Sequence, residues 1–144
     1  MAGRPRPRVF LDTNVIVSAL HSPTGPPGEI LRAHIEGKIA GVVSQQVLEE
    51  LARTVAAKLP AAVPALQTLL LSAPPEVVPD PPRTAVRHWA RLVELSDAPI
   101  LAAAAEAEID YFVTGDGGIL AKAAEIAAAG VTVLSSRELS DRLQ

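Results

Sequence analysis

A chain of 144 residues is long enough to bury one sizeable core, and 49% hydrophobic with 20% charged residues is a globular composition. Thirteen Lys and Arg against sixteen Asp and Glu leave a formal net charge of -3, so no overall basic field points to nucleic acid. The absence of Cys excludes disulfide frameworks, thiolate metal centres and cysteine nucleophiles, and 3% aromatic residues argue against a base-stacking platform.

Residues 1–7, which include Arg4 and Arg6, read as a loose basic arm, and residues 8–144 as a single domain. Arg4, Arg6 and Arg8 mimic the start of a signal peptide, but Asp12 cuts the apolar stretch that follows. The next apolar stretch, Val15 to Leu20, falls far short of the roughly 20 residues a bilayer requires. No membrane association and a cytoplasmic location are therefore expected.

Short β-rich runs alternate with longer helical segments, the pattern of an α/β protein whose central parallel sheet is covered by helices on both faces. The strands read as 8–12, 39–44, 76–79, 110–114 and 131–134. The third, crowded by Pro74, Pro75 and Pro79, is placed at a sheet edge. Between them, a helix over 28–36 stops at Gly37, and Ser44 caps a helix over 45–58 that ends before Pro60. Further helices read as 61–72, 82–95, from a Ser96 or Asp97 cap to about 108, 117–129 stopping at Gly130, and 136–143; residues 22–27 read as a Pro/Gly loop.

Two apolar strands run into acids in the same way: Val9-Phe10-Leu11 into Asp12-Thr13-Asn14, and Tyr111-Phe112-Val113 into Thr114-Gly115-Asp116. Strands of this kind are central, their carboxyl ends share one edge, and ligands of open α/β sheets bind in the crevice there. Asp12 and Asp116 face each other across that crevice if their strands are neighbours. Two helical acids reach the same rim. Glu50 lies about one and a half turns into the helix that starts at Ser44, and Asp97 begins a helix that feeds the Asp110 strand from the carboxyl edge.

Four converging carboxylates repel one another, and no Lys or Arg occurs between Leu11 and Leu31 or between Glu94 and Ala121. A hard divalent cation with oxygen ligands, Mg²⁺ or Mn²⁺, resolves the repulsion most simply. Such an ion activates water and stabilises leaving oxygens, so phosphodiester or phosphomonoester hydrolysis is the expected chemistry.

In this order, the pieces Val9 to Val15, Val43-Ser44 with Leu48-Glu49-Glu50-Leu51, Ser96 to Ala104 and Asp110 to Asp116 resemble the PIN domain, and in particular its VapC-like bacterial toxin branch. The resemblance implies a three-layer α/β/α sandwich with sheet order 3-2-1-4-5. It also implies that Asp12, Glu50, Asp97 and Asp116 form an acidic metal site, with Asn14 and Thr114 orienting those carboxylates from behind. The implied activity is RNA cleavage by a metal-activated water, leaving a 5′-phosphate and a 3′-hydroxyl, in a toxin paired with a cognate antitoxin; a homodimer is implied too. Gly118 stands where many relatives carry a further acid, and Leu95-Ser96 where relatives often have acids.

Plainer roles stand beside these. Asp12, Asp97 and Asp116 also suit turns or helix caps, Glu49 competes with Glu50 for the inward place, and Asp110 suits a strand start. His21, His34 and His88 read as surface or loop histidines, and Trp89 as core. The Ala102–Ala105 run fits tight helix-to-sheet packing or a dimer face. Arg83, Arg87 and Arg91 repeat every four residues and form either a solvated stripe or a set of RNA phosphate contacts. Two other functions stay open: a haloacid-dehalogenase-type phosphatase, which needs a second Asp where Asn14 stands, and a catalytically silent PIN-like binding module.

Overall fold

The computed structural model describes residues 6–144, and the arm expectation falls largely on residues 1–5, outside that range. Of the remainder of the arm, the Pro7 carbonyl accepts the Ala40 N–H at 2.9 Å. The described residues form five strands: β1 (Arg8–Leu11), β2 (Ala40–Ser44), β3 (Glu76–Val78), β4 (Tyr111–Val113) and β5 (Val133–Leu134). They form one sheet in the order β3-β2-β1-β4-β5 with every pairing parallel, as the resemblance implied. β1, β2 and β4 are central because their side chains are apolar on both faces. Val9, Phe10, Val42, Val43, Phe112 and Val113 are wholly buried. β3, flanked by prolines that cannot donate to a ladder, sits at the edge.

The helices are α1 (Thr13–His21), α2 (Pro26–Ile35), α3 (Gln45–Lys58), α4 (Val63–Ser72, after a 3₁₀ turn at Pro60–Ala62), α5 (Arg83–Trp89), α6 (Ala98–Glu106), α7 (Gly117–Ala121), α8 (Ala123–Ala128) and α9 (Ser136–Leu143). Right-handed crossovers between parallel strands in this order put α1 to α4 on one face and α5 to α8 on the other. α9 closes the first layer by packing on α2. The two glycine stops are as expected: Gly37 and Gly130 take φ of 79° and 105°, which a Cβ would penalise. Among the described residues no helix is long and apolar enough to cross a membrane.

Several elements differ from the sequence reading. α1 has no counterpart there. Its run of β-branched Val15-Ile16-Val17 has weak helix propensity, and burial of Val15, Ile16 and Ala19 overrides that preference. The helix expected over 82–95 ends at Trp89; residues 90–93 turn instead, and the Leu92 carbonyl is taken by Lys122 Nζ at 3.0 Å. The helix expected over 117–129 breaks at Lys122 into α7 and α8. His34 is not a surface histidine but a half-buried tie: Nδ1 accepts the Gly41 N–H at 3.0 Å, and Nε2 lies 2.8 Å from the Ala73 carbonyl. Trp89 is core, and Ala102, Ala103 and Ala104 are buried within the chain, so this run serves packing.

One pair of side chains fixes the geometry that matters below. Phe10 and Phe112 are register partners on β1 and β4, and their rings stack 5.4 Å apart, an arrangement worth about 0.5–1.5 kcal/mol beyond its buried area. With Leu11 beside Val113, the next residues on the two strands, Asp12 and Thr114, leave the sheet side by side.

Candidate metal centre

All strands point the same way, so the residues that follow β1, β2 and β4 emerge at one edge. The Asp12 N–H closes that edge onto the Val113 carbonyl at 3.0 Å. Asp12, Asn14, Glu50, Asp97 and Asp116 line one cleft of about 440 Å³ there, with Thr13, Thr54, Lys58 and Ser96. Thus β1, α3, α6 and β4 each deliver one carboxylate. Thr114 lies fully buried beneath them.

Each carboxylate is held differently. Asp12 caps α1: Oδ1 accepts the Thr13 N–H at 2.8 Å, and Oδ2 accepts the Thr114 hydroxyl at 2.8 Å and the Asn14 amide at 3.4 Å. Asn14 in turn accepts the Gly115 N–H at 2.9 Å, tying the start of α1 to the loop after β4. Thr114 Oγ1 also accepts the Asp116 N–H at 3.0 Å, so one hydroxyl orients two acids. Asp116 caps α7 through Oδ1 alone, which accepts the Gly118 and Ile119 N–H groups at 2.8 and 3.0 Å. Glu50 Oε2 accepts the Thr13 hydroxyl at 3.1 Å.

Glu50 rather than Glu49 enters the cleft because Val47, Leu51 and Val55 take the inner face of α3. Glu50 lies on the flank of that stripe, while Glu49 pairs with Gln45 in solvent. Asp97 sits at the cap position of α6, but its side chain makes no cap bond, contrary to the capping role expected for it. Its carboxylate is therefore uncommitted. Asp110 stays at the opposite edge, where it accepts the Arg8 N–H at 2.7 Å, a structural strand-start role.

The electrostatics follow from this crowding. Burial raises the pKa of Asp12 above its ordinary value; the bonds from Thr114 and Thr13 oppose the rise, and the charges of Asp97 and Glu50 add to it. Asp97 is also raised, first by burial and then by Asp116 and Glu94, with Lys122 opposing. The four acids therefore act on one another as like charges. Among the described residues no three acidic or histidine side chains form a ready-made ion cage. The donor set still fits a hard divalent cation, since it offers carboxylate and hydroxyl oxygens and neither thiolate nor imidazole.

Two cations escaped the sequence reading. Lys58, two turns beyond Glu50 on α3, lines the acid cleft, and Lys122 lies close enough to Asp97 to oppose its pKa rise. Both are distant in sequence from the strand ends; only the i, i+4, i+8 spacing of Glu50, Thr54 and Lys58 could have signalled the first. Nothing in the local pattern marks Thr13, whose hydroxyl holds Glu50 from a segment 37 residues away. Arg83, Arg87 and Arg91 are exposed and do not line the cleft, and Arg91 falls beyond the end of α5.

A PIN domain family model matches residues 8–117. The chain belongs to the PIN domain family. Among solved structures, this PIN domain is similar to PAE2754 from Pyrobaculum aerophilum, with a TM-score of 0.66 and 17% identity over 97% of this chain and 92% of that one. It is also similar to VapBC2 from Rickettsia felis, solved bound to a DNA fragment from their promoter. There the TM-score is 0.63 with 17% identity, over 89% of this chain and 98% of that one. At these identities the likeness is one of fold. A shorter stretch of 44 residues is 46% identical to the uncharacterized protein MJ1680 of Methanocaldococcus jannaschii; it spans 31% of this PIN domain and 28% of that protein.

The orienting role of Thr114 is testable. Thr114→Val keeps the volume but removes the donor to Asp12 and the acceptor for the Asp116 N–H. Loss of such a partner is expected to weaken metal affinity about 10- to 100-fold, and a buried group left unpaired costs about 1–3 kcal/mol. Thr114→Ser restores most of both, read by metal titration and by thermal unfolding.

Proposed function

We propose that this PIN domain is a metal-dependent endoribonuclease, acting as the toxin of a toxin–antitoxin pair. The observation that carries the reading is the single cleft at the carboxyl edge into which four separate elements deliver Asp12, Glu50, Asp97 and Asp116. Asp12, Asp97, Asp116 and Glu50 are the residues that would hold Mg²⁺ or Mn²⁺. When bound, such an ion supplies a hydroxide near neutral pH and electrostatic stabilisation of the leaving oxygen.

The protein's own part is to aim those carboxylates. Thr114 and Asn14 fix Asp12 through Oδ2, and Thr13 fixes Glu50. The two N–H groups that open α7 hold Asp116 Oδ1, which leaves Oδ2 outside that cap. Asp97, free of any cap bond, adjusts to what the others bind. Burial of Asp12 excludes water from the back of the site and strengthens its electrostatics.

Cleavage of single-stranded RNA in Mn²⁺, arrested by EDTA and yielding a 5′-phosphate and a 3′-hydroxyl, is the expected result; cleavage unaffected by EDTA overturns it. A second reading, a silent RNA-binding module, is favoured by Gly118 and by the absence of three closely gathered acids among the described residues. It requires RNA binding in Mn²⁺ without hydrolysis. A phosphatase of the haloacid dehalogenase type has less support, because Asn14 donates to Asp12 where that chemistry needs a second carboxylate. Trapping an aspartyl phosphate on Asp12 would decide for it.

The antitoxin and the homodimer enter this proposal through the family. Co-expression of a small neighbouring DNA-binding protein should relieve the growth arrest caused by this chain, and sedimentation reads the dimer.

A further inference from the structure

We propose that Lys58 and Lys122 are phosphate anchors on opposite sides of the acidic centre, and that a single-stranded polynucleotide lies across the centre from one lysine to the other. The inference deepens the nuclease reading and rests on it. Its basis is a pair of clefts that share two acids. Asp97 and Asp116 line the acid cleft and also a second one of about 260 Å³, which Lys122, Glu94, Gly118 and Ile119 complete. The two clefts therefore meet at the same pair of acids, and each has one lysine in its lining.

Among the described residues Lys58 is the only cation lining the acid cleft. It ends α3, about 12 Å along the axis from Glu50 at 1.5 Å per residue, with the Thr54 hydroxyl one turn before it. Among the described residues its ammonium makes no ion pair and no hydrogen bond. A lysine at a helix C-terminus is favoured by the helix dipole in any protein, but that does not require a place in the cleft wall. Lys122 is exposed too, and its bond to the Leu92 carbonyl fixes the ammonium at the rim of the second cleft.

The charges give the reason for two anchors. A polynucleotide meets repulsion from four carboxylates, which one divalent ion offsets only in part. A lysine on each side offsets the phosphates that flank the reacting one and sets where the strand rests. Lysine suits this task as a compact charge on a flexible stem, which grips phosphate without reading a base. Among the described residues no aromatic side chain lines either cleft, so bases are not stacked there. The substrate class is then a single strand with at least three consecutive phosphates, held by its backbone.

The test compares wild type, Lys58→Gln, Lys122→Gln and the corresponding Arg variants on an oligouridylate and on bis(p-nitrophenyl) phosphate, a diester with no flanking phosphates. Each Gln variant should raise KM for the oligonucleotide about 5- to 10-fold at low salt, several times more than for the small diester. Each should also lower the salt slope of oligonucleotide binding by about 0.7, and Arg should restore both. A wild type that cleaves RNA, with Gln variants that keep its KM and slope, overturns the anchors and leaves the nuclease reading standing. If wild type does not cleave at all, the nuclease reading fails. Oligouridylate binding in Ca²⁺, measured by fluorescence anisotropy, then decides the anchors alone: unchanged affinity in the Gln variants overturns them, and weakened affinity supports them.

Discussion

Asp12→Asn and Asp116→Asn are each expected to lower Mn²⁺-dependent RNA cleavage by more than about 100-fold, because removing a ligand should exceed the 10- to 100-fold cost of removing a partner behind it. The two substitutions differ in what else they disturb. Asp12 accepts on both oxygens, from Thr13 on one side and from Thr114 and Asn14 on the other, so an amide nitrogen must face a donor in either orientation. Asp116 uses only Oδ1 to cap α7, and an asparagine can keep that oxygen in place while its nitrogen replaces Oδ2. Asp116→Asn should therefore lose activity with little change in folding, whereas Asp12→Asn loses activity together with either its cap bond from Thr13 or its bonds from Thr114 and Asn14. Near-wild-type cleavage by both purified variants rejects the site.

Metal and stability should be linked, with a sign fixed by the pKa shifts. The Asp12 carboxyl titrates above 3.8 in the folded chain, so the folded state holds that proton more tightly than the unfolded chain does. For this group, metal-free stability is greatest below the unfolded pKa and declines as pH rises from about 4 through the raised folded value. A divalent cation binds only the ionised form, so its stabilisation grows across the same window. At a Mn²⁺ concentration about 100 times Kd the gain is about 2.7 kcal/mol, which corresponds to roughly 5–10 °C in a domain of this size.

Asp97→Asn separates the two contributions. Asp97 makes no cap bond and is raised by its acidic neighbours, so the amide removes repulsion and little else. Its Tm without metal should rise, while its Mn²⁺-dependent increment shrinks. Thermal unfolding at neutral pH with EDTA and with Mn²⁺ reads both, and an undiminished increment in Asp97→Asn removes that residue from the ligand set.

Much of the fold was legible because its cues are local. The helix over 45–58 is bounded by a Ser44 cap and Pro60, and the stops at Gly37 and Gly130 are dictated by backbone freedom. α1 was hidden because β-branched residues look alike in a strand and in a buried helix until neighbours supply the apolar surface. The break at Lys122 and the turn after α5 are joined by a bond from Lys122 Nζ to the Leu92 carbonyl, a contact across thirty residues that no local pattern encodes.

The candidate site divides along the same line. That Asp12, Thr114 and Asp116 follow apolar strands, and that Glu50 and Asp97 lie near helix starts, can be read from the chain itself. Strand periodicity and the direction of the connecting helices then send them to one edge of the sheet. What only the tertiary structure decided is which oxygens are committed and which cations approach. The Thr13 hydroxyl on Glu50, the double use of Thr114 Oγ1 and the places of Lys58 and Lys122 depend on angstrom-scale contacts between segments far apart in sequence. Hydrogen bonding falls off over a fraction of an ångström, while hydrophobic patterning sets positions only to within a turn of helix or a step of strand.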